Sequence, residues 1–256
     1  MNMKYIGLLG GILGLAGFAV AQPAPFDQTH LLLDKTLKTH VRDGLVDYAA
    51  LKRHRQNLDH YLAAMAAVAE PDFKQWHEKQ RLAFLINAYN ACTLQLIINH
   101  YPVKSIKDIG GWVKGPWDQP VVRLFGHTLT LNDLEHKILR VEYSEPRIHF
   151  ALVCAARGCP PLRTEAYVAD RLDAQLDDQA RQFLATASKN RVAADERVIY
   201  LSPLFKWYGA DFEKKSGSVL AALKSYWPKE SAAALAKGEF KTRYTEYDWS
   251  LNQRSR

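Results

Sequence analysis

Two cysteines five residues apart, Cys154 and Cys159, stand in the run R-I-H-F-A-L-V-C-A-A-R-G-C-P-P-L from Arg147 to Leu162, which also carries His149. A thiol, an imidazole and a Gly-Pro loop rich in backbone amides, with Glu135-His136 on the preceding segment, are the parts of a cysteine nucleophile site. In that reading Cys154 attacks a carbonyl, His136 or His149 is the base, and Glu135 or an asparagine orients it. The N–H groups of Ala155, Ala156 and Gly158 would lower the thiol pKa and hold the oxyanion. The same parts make a structural disulfide, because an i, i+5 cysteine pair can close in a turn. A third arrangement, a metal site of His136, His149, Cys154 and Cys159, has suitable ligand types but lacks C-x-x-C spacing, so neither metal nor other cofactor is expected. Cys92 is left over and reads as a small core residue.

Residues 1–21 decide which compartment these thiols meet. Lys4, an apolar stretch from Ile6 to Val20 and Ala19-Val20-Ala21 before Gln22 form a secretory signal with an A-x-A cleavage site. The mature chain is then expected to be periplasmic or secreted, without a membrane span, in an oxidising space that favours the disulfide. A net charge of +7 is spread among acids, with Lys52-Arg53-His54-Arg55 the densest run. No basic patch is interleaved with aromatic residues, so a solvated surface is expected rather than a nucleic-acid site. A peptide or an envelope polymer is the partner class left. With 48 % hydrophobic residues and no linker or internal repeat, residues 22–256 read as one globular domain.

The elements that must position these groups begin with an amphipathic helix over 27–41. A second helix follows Leu45-Val46-Asp47-Tyr48 and runs to Val68, Pro71 breaks the chain, and a long helix covers 73–100. From Leu82 to Ile98 this last helix is apolar nearly all round, which places it at the centre of the globule. Asn87 and Asn90, at i and i+3, then need buried partners: they clamp structure, or they orient a catalytic loop or bind ligand. The Gly-Trp-Pro segment Gly110 to Trp117 is a loop whose Trp112 and Trp117 could wall a cleft.

A hairpin over 121–130 with its turn at Gly126-His127 leads into a helix from Leu131 to Val141, started by Thr130-x-x-Asp133. His136 and Arg140 share a face of it, while Glu135 lies about 100° around. A base at His136 would take its orienting group from Asn87, Asn90 or Asp133, and Glu135 could instead hold Arg147. Ile148 to Val153 alternates as a strand that turns His149 away from the apolar face. A helix over 168–188, a hairpin of 191–192 with 198–201, short helices at 204–207 and 219–227 and a strand over 241–247 complete the chain. The sum is α+β: a helix-rich single domain with a small antiparallel sheet around a buried central helix.

A-F-L-I-N-A-Y-N-A (Ala83 to Ala91), Y-P-V-K-S-I-K-D-I (Tyr101 to Ile109), L-N-D-L-E-H-K-I-L-R (Leu131 to Arg140), the cysteine run and Y-D-W-S-L-N (Tyr247 to Asn252) together resemble domain-of-unknown-function family 547. The resemblance spans nearly all of the mature chain and implies an exported bacterial member, with motif positions at Asn87, Tyr89, Asn90, Glu135, His136, Arg140, His149, Cys154 and Cys159. It implies no reaction. Leu85 replaces a tryptophan usual in bacterial members, and Val153-Cys154-Ala155-Ala156 replaces N-C-G-A, which removes the glycine suited to positive φ at residue 155. The reading carried forward is an exported, non-catalytic envelope module that binds peptide or glycan and holds a Cys154–Cys159 disulfide. The alternative is a cysteine-dependent hydrolase or acyl transferase, and the second alternative is the metal site.

Overall fold

A computed structural model of the chain describes residues 25–111 and 113–254, so the expected signal segment 1–21 and Trp112 lie outside the described residues. The Asp27 carboxylate accepts from the Thr29 and Leu31 N–H groups at 2.9 and 3.0 Å, fixing the turn that feeds α1 (Leu31–His40). Asp27 therefore acts ahead of the helix and not within it. β1 (Val41–Arg42) and β2 (Leu45–Val46) pair antiparallel across Asp43 and Gly44, whose φ values of 52° and 76° suit a tight hairpin. Gly44 also meets the exit of the cysteine loop, where an added Cβ would lie 2.5 Å from Pro161 Cβ.

The helix expected to reach Val68 is two, α2 (Tyr48–Arg53) and α3 (Gln56–Ala66). The interval from Lys52 to Asn57 offers no apolar side chain to hold a turn on the core. Pro71 does not break the chain. It sits in the first turn of α4 (Glu70–Gln75), where a missing N–H leaves no acceptor unmet. Extended Trp76 then separates α4 from α5 (Glu78–His100), so the helix predicted over 73–100 is also divided. Every residue of α5 from Leu82 to Ile98 except Gln95 is buried. By length and composition α5 could cross a membrane, yet 89 % of its most apolar stretch is buried inside the fold, as the axis of the core.

β3 (Val122–Leu124) and β4 (His127–Leu129) pair with Leu124 opposite His127, so the turn is Phe125-Gly126, both at positive φ, one residue earlier than expected. The helix over 131–142 contains a π-helical segment, Asp133–Leu139, that runs directly into α6 (Arg140–Glu142). The Arg140 N–H reaches back to the Glu135 carbonyl, the i−5 bond of a π turn.

The predicted strand over 148–153 is instead a short helix, α7 (Ile148–Ala151), followed by extended Leu152. Period-two alternation would put Ile148 and Phe150 on one face. In the fold Ile148 and Ala151 join the main core around α5, whereas Phe150 joins a second cluster with Phe183, Phe205 and Phe212. A helix can serve both sides.

α8 (Leu172–Leu184) is shorter than its predicted 168–188, and β5 (Arg191–Ala193) pairs antiparallel with β6 (Val198–Leu201) as expected. Then come α9 (Leu204–Trp207), α10 (Gly209–Ser216), α11 (Val219–Leu223) and α12 (Lys229–Leu235). β7 (Lys241–Tyr244) joins β6 in parallel, as the intervening helices allow. The architecture is a helix-rich α+β fold with a long buried helix and three small sheets; two are antiparallel pairs and the third is mixed.

Candidate functional site

Asn90 determines how the chain enters the cysteine loop. Its Nδ2 donates to the Ala151 carbonyl at 2.9 Å, and its Oδ1 accepts from the Val153 N–H at 3.0 Å. Cys154 and Cys159 are joined as a disulfide, and the Cys154 N–H points at Cys159 Sγ, 3.0 Å away. Ala155 adopts φ 58°, so the left-handed turn persists without the glycine, at a conformational cost of about 1–2 kcal/mol.

Three of the loop amides are already engaged. Arg157 N–H donates to the Ser250 carbonyl, Gly158 N–H to Asp248 and Cys159 N–H to Ala156, at 2.8, 2.8 and 3.1 Å. An oxyanion hole built on this loop therefore loses its Gly158 donor, because the C-terminal segment has taken it. Lys189 Nζ donates to the Cys159 carbonyl, and burial pushes this amine down to about 8.

That C-terminal segment also delivers Tyr247, whose hydroxyl lies 3.2 Å from Cys154 Sγ and 3.0 Å from Cys159 Sγ. Its ring packs flat on residue 158, where an added Cβ would sit 2.9 Å from three ring carbons. Gly158→Ala is accordingly expected to overpack this contact and destabilise the protein by about 1–3 kcal/mol. Thermal unfolding measures it, and an unchanged midpoint would show that the segment yields freely.

Beside the disulfide opens a cleft of about 240 Å³, walled by Trp117, Trp207, Tyr208, Tyr247 and Trp249. Glu135 reaches it from the π-helical segment and is only 5 % exposed. Tyr89, Tyr208 and Trp117 line the cleft together with it. Burial first, and then the Glu135 charge, raise the pKa of both tyrosines and of Tyr247. These hydroxyls stay protonated and act as donors.

His136 and His149 line the same cleft with the Tyr208 ring near both: His149 stacks on it at 4.0 Å, and the His136 centroid is 6.3 Å away. Arg140 Nη1 meets His136 Nδ1 at 3.0 Å. A guanidinium only donates, so the neutral ring keeps its proton on Nε2. Arg140 also binds both oxygens of Asp211, at 2.7 and 2.9 Å, and His149 Nε2 meets Asp211 Oδ2 at 2.7 Å. The hydrogen bond from His149, opposed by burial and reinforced by Arg140, holds the Asp211 carboxyl well below the usual carboxylate range.

Of the residues singled out in the sequence, Cys154, Cys159, Glu135, His136, His149 and Trp117 come together at the cleft. Asn87 and Asn90 stay behind it: Asn87 braces the Tyr167 N–H and carbonyl at 3.0 and 2.7 Å, and Asn90 braces the loop entrance. Asp133 pairs with Lys137 and caps Thr130, so it does not orient His136. Arg147 is not held by Glu135; it pairs with Glu145, Asp173 and Asp177. His149 does not point away from the interior but is 2 % exposed. Neither sulfur is free for the proposed four-ligand metal set, and no cluster of three or more His, Cys, Asp or Glu that could hold a metal assembles among the described residues.

Sequence reasoning missed Asp211, Trp207 and Tyr208, and gave Tyr247 and Trp249 no role. The last two stood in the quoted Y-D-W-S-L-N motif. Asp211 carried no signal, since its partners lie 62 and 71 residues away.

A family model described as "Protein of unknown function, DUF547" matches residues 73–184. That stretch contains the two asparagines, Glu135, both cleft histidines and both disulfide cysteines, but none of the residues from 207 to 249 that complete the cleft. No curated protein and no solved structure matches the chain.

Proposed function

Through residues 73–184 the chain belongs to the DUF547 family, whose description assigns no reaction, and we propose from the site itself that it is an exported, non-catalytic binding module taking a peptide segment into the aromatic cleft. One observation carries the reading. The sulfurs are closed on each other beneath the Tyr247 hydroxyl, whereas the neighbouring cleft combines aromatic walls with converging polar groups, the pattern of a recognition site.

Ring faces favour peptide over glycan. A sugar ring stacks on a free aromatic face, but His149 already covers one face of Tyr208 and the Lys107 ammonium sits 3.7 Å from the centre of Trp249. Directed polar groups, including His136 and Asn132, line the same cleft. These suit backbone amides and a side chain.

The test is titration of the oxidised full chain with peptide mixtures and, separately, with oligosaccharides, followed by tryptophan fluorescence. Peptide binding is expected, and Trp207→Ala, which removes a 47 % exposed wall residue, should lower the affinity about 10-fold. Binding of oligosaccharides alone would make this a glycan module.

The His149–Asp211 contact favours a second reading, a cysteine-dependent hydrolase or acyl transferase active in the reduced protein, since a carboxylate orients an imidazole in the same cleft as Cys154. Peptide turnover under reducing conditions that disappears in Cys154→Ala would establish it.

A further inference from the structure

We propose that the floor of the cleft recognises a primary ammonium group, carried by a lysine side chain or by the free N terminus of the bound peptide. The proposal rests on the peptide-binding reading and adds the chemistry of the ligand.

Glu135 is a carboxylate, nineteen-twentieths buried, that borders an open cleft. Among the described residues it forms no salt bridge. Arg140 is close enough to feel its charge, but that guanidinium is bound by both oxygens of Asp211. Burial strips water from this side chain, and an incoming cation gains most where water is excluded. Tyr89 and Tyr208 line the same floor, and each hydroxyl oxygen carries lone pairs that can accept from a bound cation. Three groups of acceptor oxygens match the three N–H donors of an ammonium ion. A planar guanidinium has five donors in a fixed fork, more than this floor can meet.

A purely structural Glu135 would leave the cleft indifferent to ligand charge. The experiment therefore reads charge selectivity in the wild-type oxidised chain by fluorescence anisotropy. The probes are labelled pentapeptides of alanine that differ only in carrying one lysine, one acetyl-lysine, one norleucine, one arginine or a free N terminus, with the ends otherwise blocked. The lysine or the free-N-terminal peptide is expected to bind at least about 10-fold more tightly than the acetyl-lysine and norleucine peptides, and whichever amine wins identifies its source. Glu135→Gln should bring the preferred peptide to the acetyl-lysine level. Equal affinity for lysine, acetyl-lysine and norleucine peptides would overturn ammonium recognition while leaving peptide binding standing. No binding by any probe would remove both, and a preference for arginine would replace the ammonium with a guanidinium. Because the first comparison uses only the wild-type chain, it holds even if Glu135→Gln fails to fold.

Discussion

Asp211→Ala is expected to destabilise the protein by about 3 kcal/mol near neutral pH, the largest loss we expect from a single surface-reaching side chain. Asp211 projects from α10 to two elements at once. It accepts two hydrogen bonds from Arg140 and one from His149, whose side chain is 1 % exposed. Removing one partner of a buried pair costs about 3–5 kcal/mol because the other charge is left without compensation. The Asp211 side chain is 27 % exposed, so water can reach part of the vacated space and the low end of the range applies. Asp211→Asn should lose less, because an amide oxygen can still accept one bond.

The pH dependence has a definite sign. Asp211 is depressed in the folded state, chiefly by the His149 hydrogen bond against the opposing effect of burial, with Arg140 adding. A carboxylate of this kind contributes stability that is complete above its unfolded pKa, near 3.8, and is lost as pH falls through the lower folded value. The difference between wild type and Asp211→Ala should hold from neutral pH down to about 4 and shrink below it. Urea midpoints across that range test this, and a difference that stayed constant into strong acid would mean that Asp211 acts by packing alone.

The contact also explains how the cleft is assembled. Asp211 ties α10 to α7 and to the start of α6, and Phe212 beside it joins the cluster that receives Phe150. His149 is thus fixed from three directions: by its own helix, by Asp211 and by the Tyr208 ring. Tyr208 belongs to the same chain segment as Asp211, so one short stretch supplies both the orienting carboxylate and the stacking surface.

Which parts of this were legible in the sequence follows from the range of the forces involved. The burial of α5 was readable because seventeen nearly unbroken apolar positions leave no polar face. Its two asparagines were identifiable as groups needing buried partners, although clamping structure and orienting a loop both fitted that need. The two-residue strands of β1–β2 were too short to show. The β3–β4 and β5–β6 hairpins were readable from apolar runs flanking a turn, although positive φ at Phe125 shifted one turn by a residue. The run I-H-F-A-L-V was not, since a short apolar segment fits a strand or a helix equally and only the two clusters flanking α7 decide. The π turn at Glu135 was invisible for the same reason. A helical wheel with α spacing sets Glu135 and His136 far apart, yet the wider turn lets both border one cleft. The strap from Asp248 to Ser250, which engages the loop amides, depends on pairing across about ninety residues, and no local pattern encodes it.

Asn90→Ala is expected to destabilise by about 2–5 kcal/mol, because it leaves the Ala151 carbonyl and the Val153 N–H without partners, and each buried orphan costs about 1–3 kcal/mol. Both residues are almost completely buried, at 1 % and 4 % exposure, so water cannot replace the lost bonds. Asn87→Ala is the matched control. It removes the same two kinds of bond, from the Tyr167 N–H and carbonyl, on the same helix one turn earlier. If Asn90 acts only as a clamp, the two variants should differ in nothing but small details of stability. If it positions the cysteine loop, Asn90→Ala alone should weaken peptide binding and expose the disulfide to faster reduction, because Val153 leads directly into Cys154 and the cleft wall. Denaturation midpoints, peptide affinity and the rate of reduction by a small thiol, measured on both variants, separate these outcomes. Equal binding and equal reduction rates would confine Asn90 to the core. A selective effect would make this buried amide the link through which the central helix holds the site in shape.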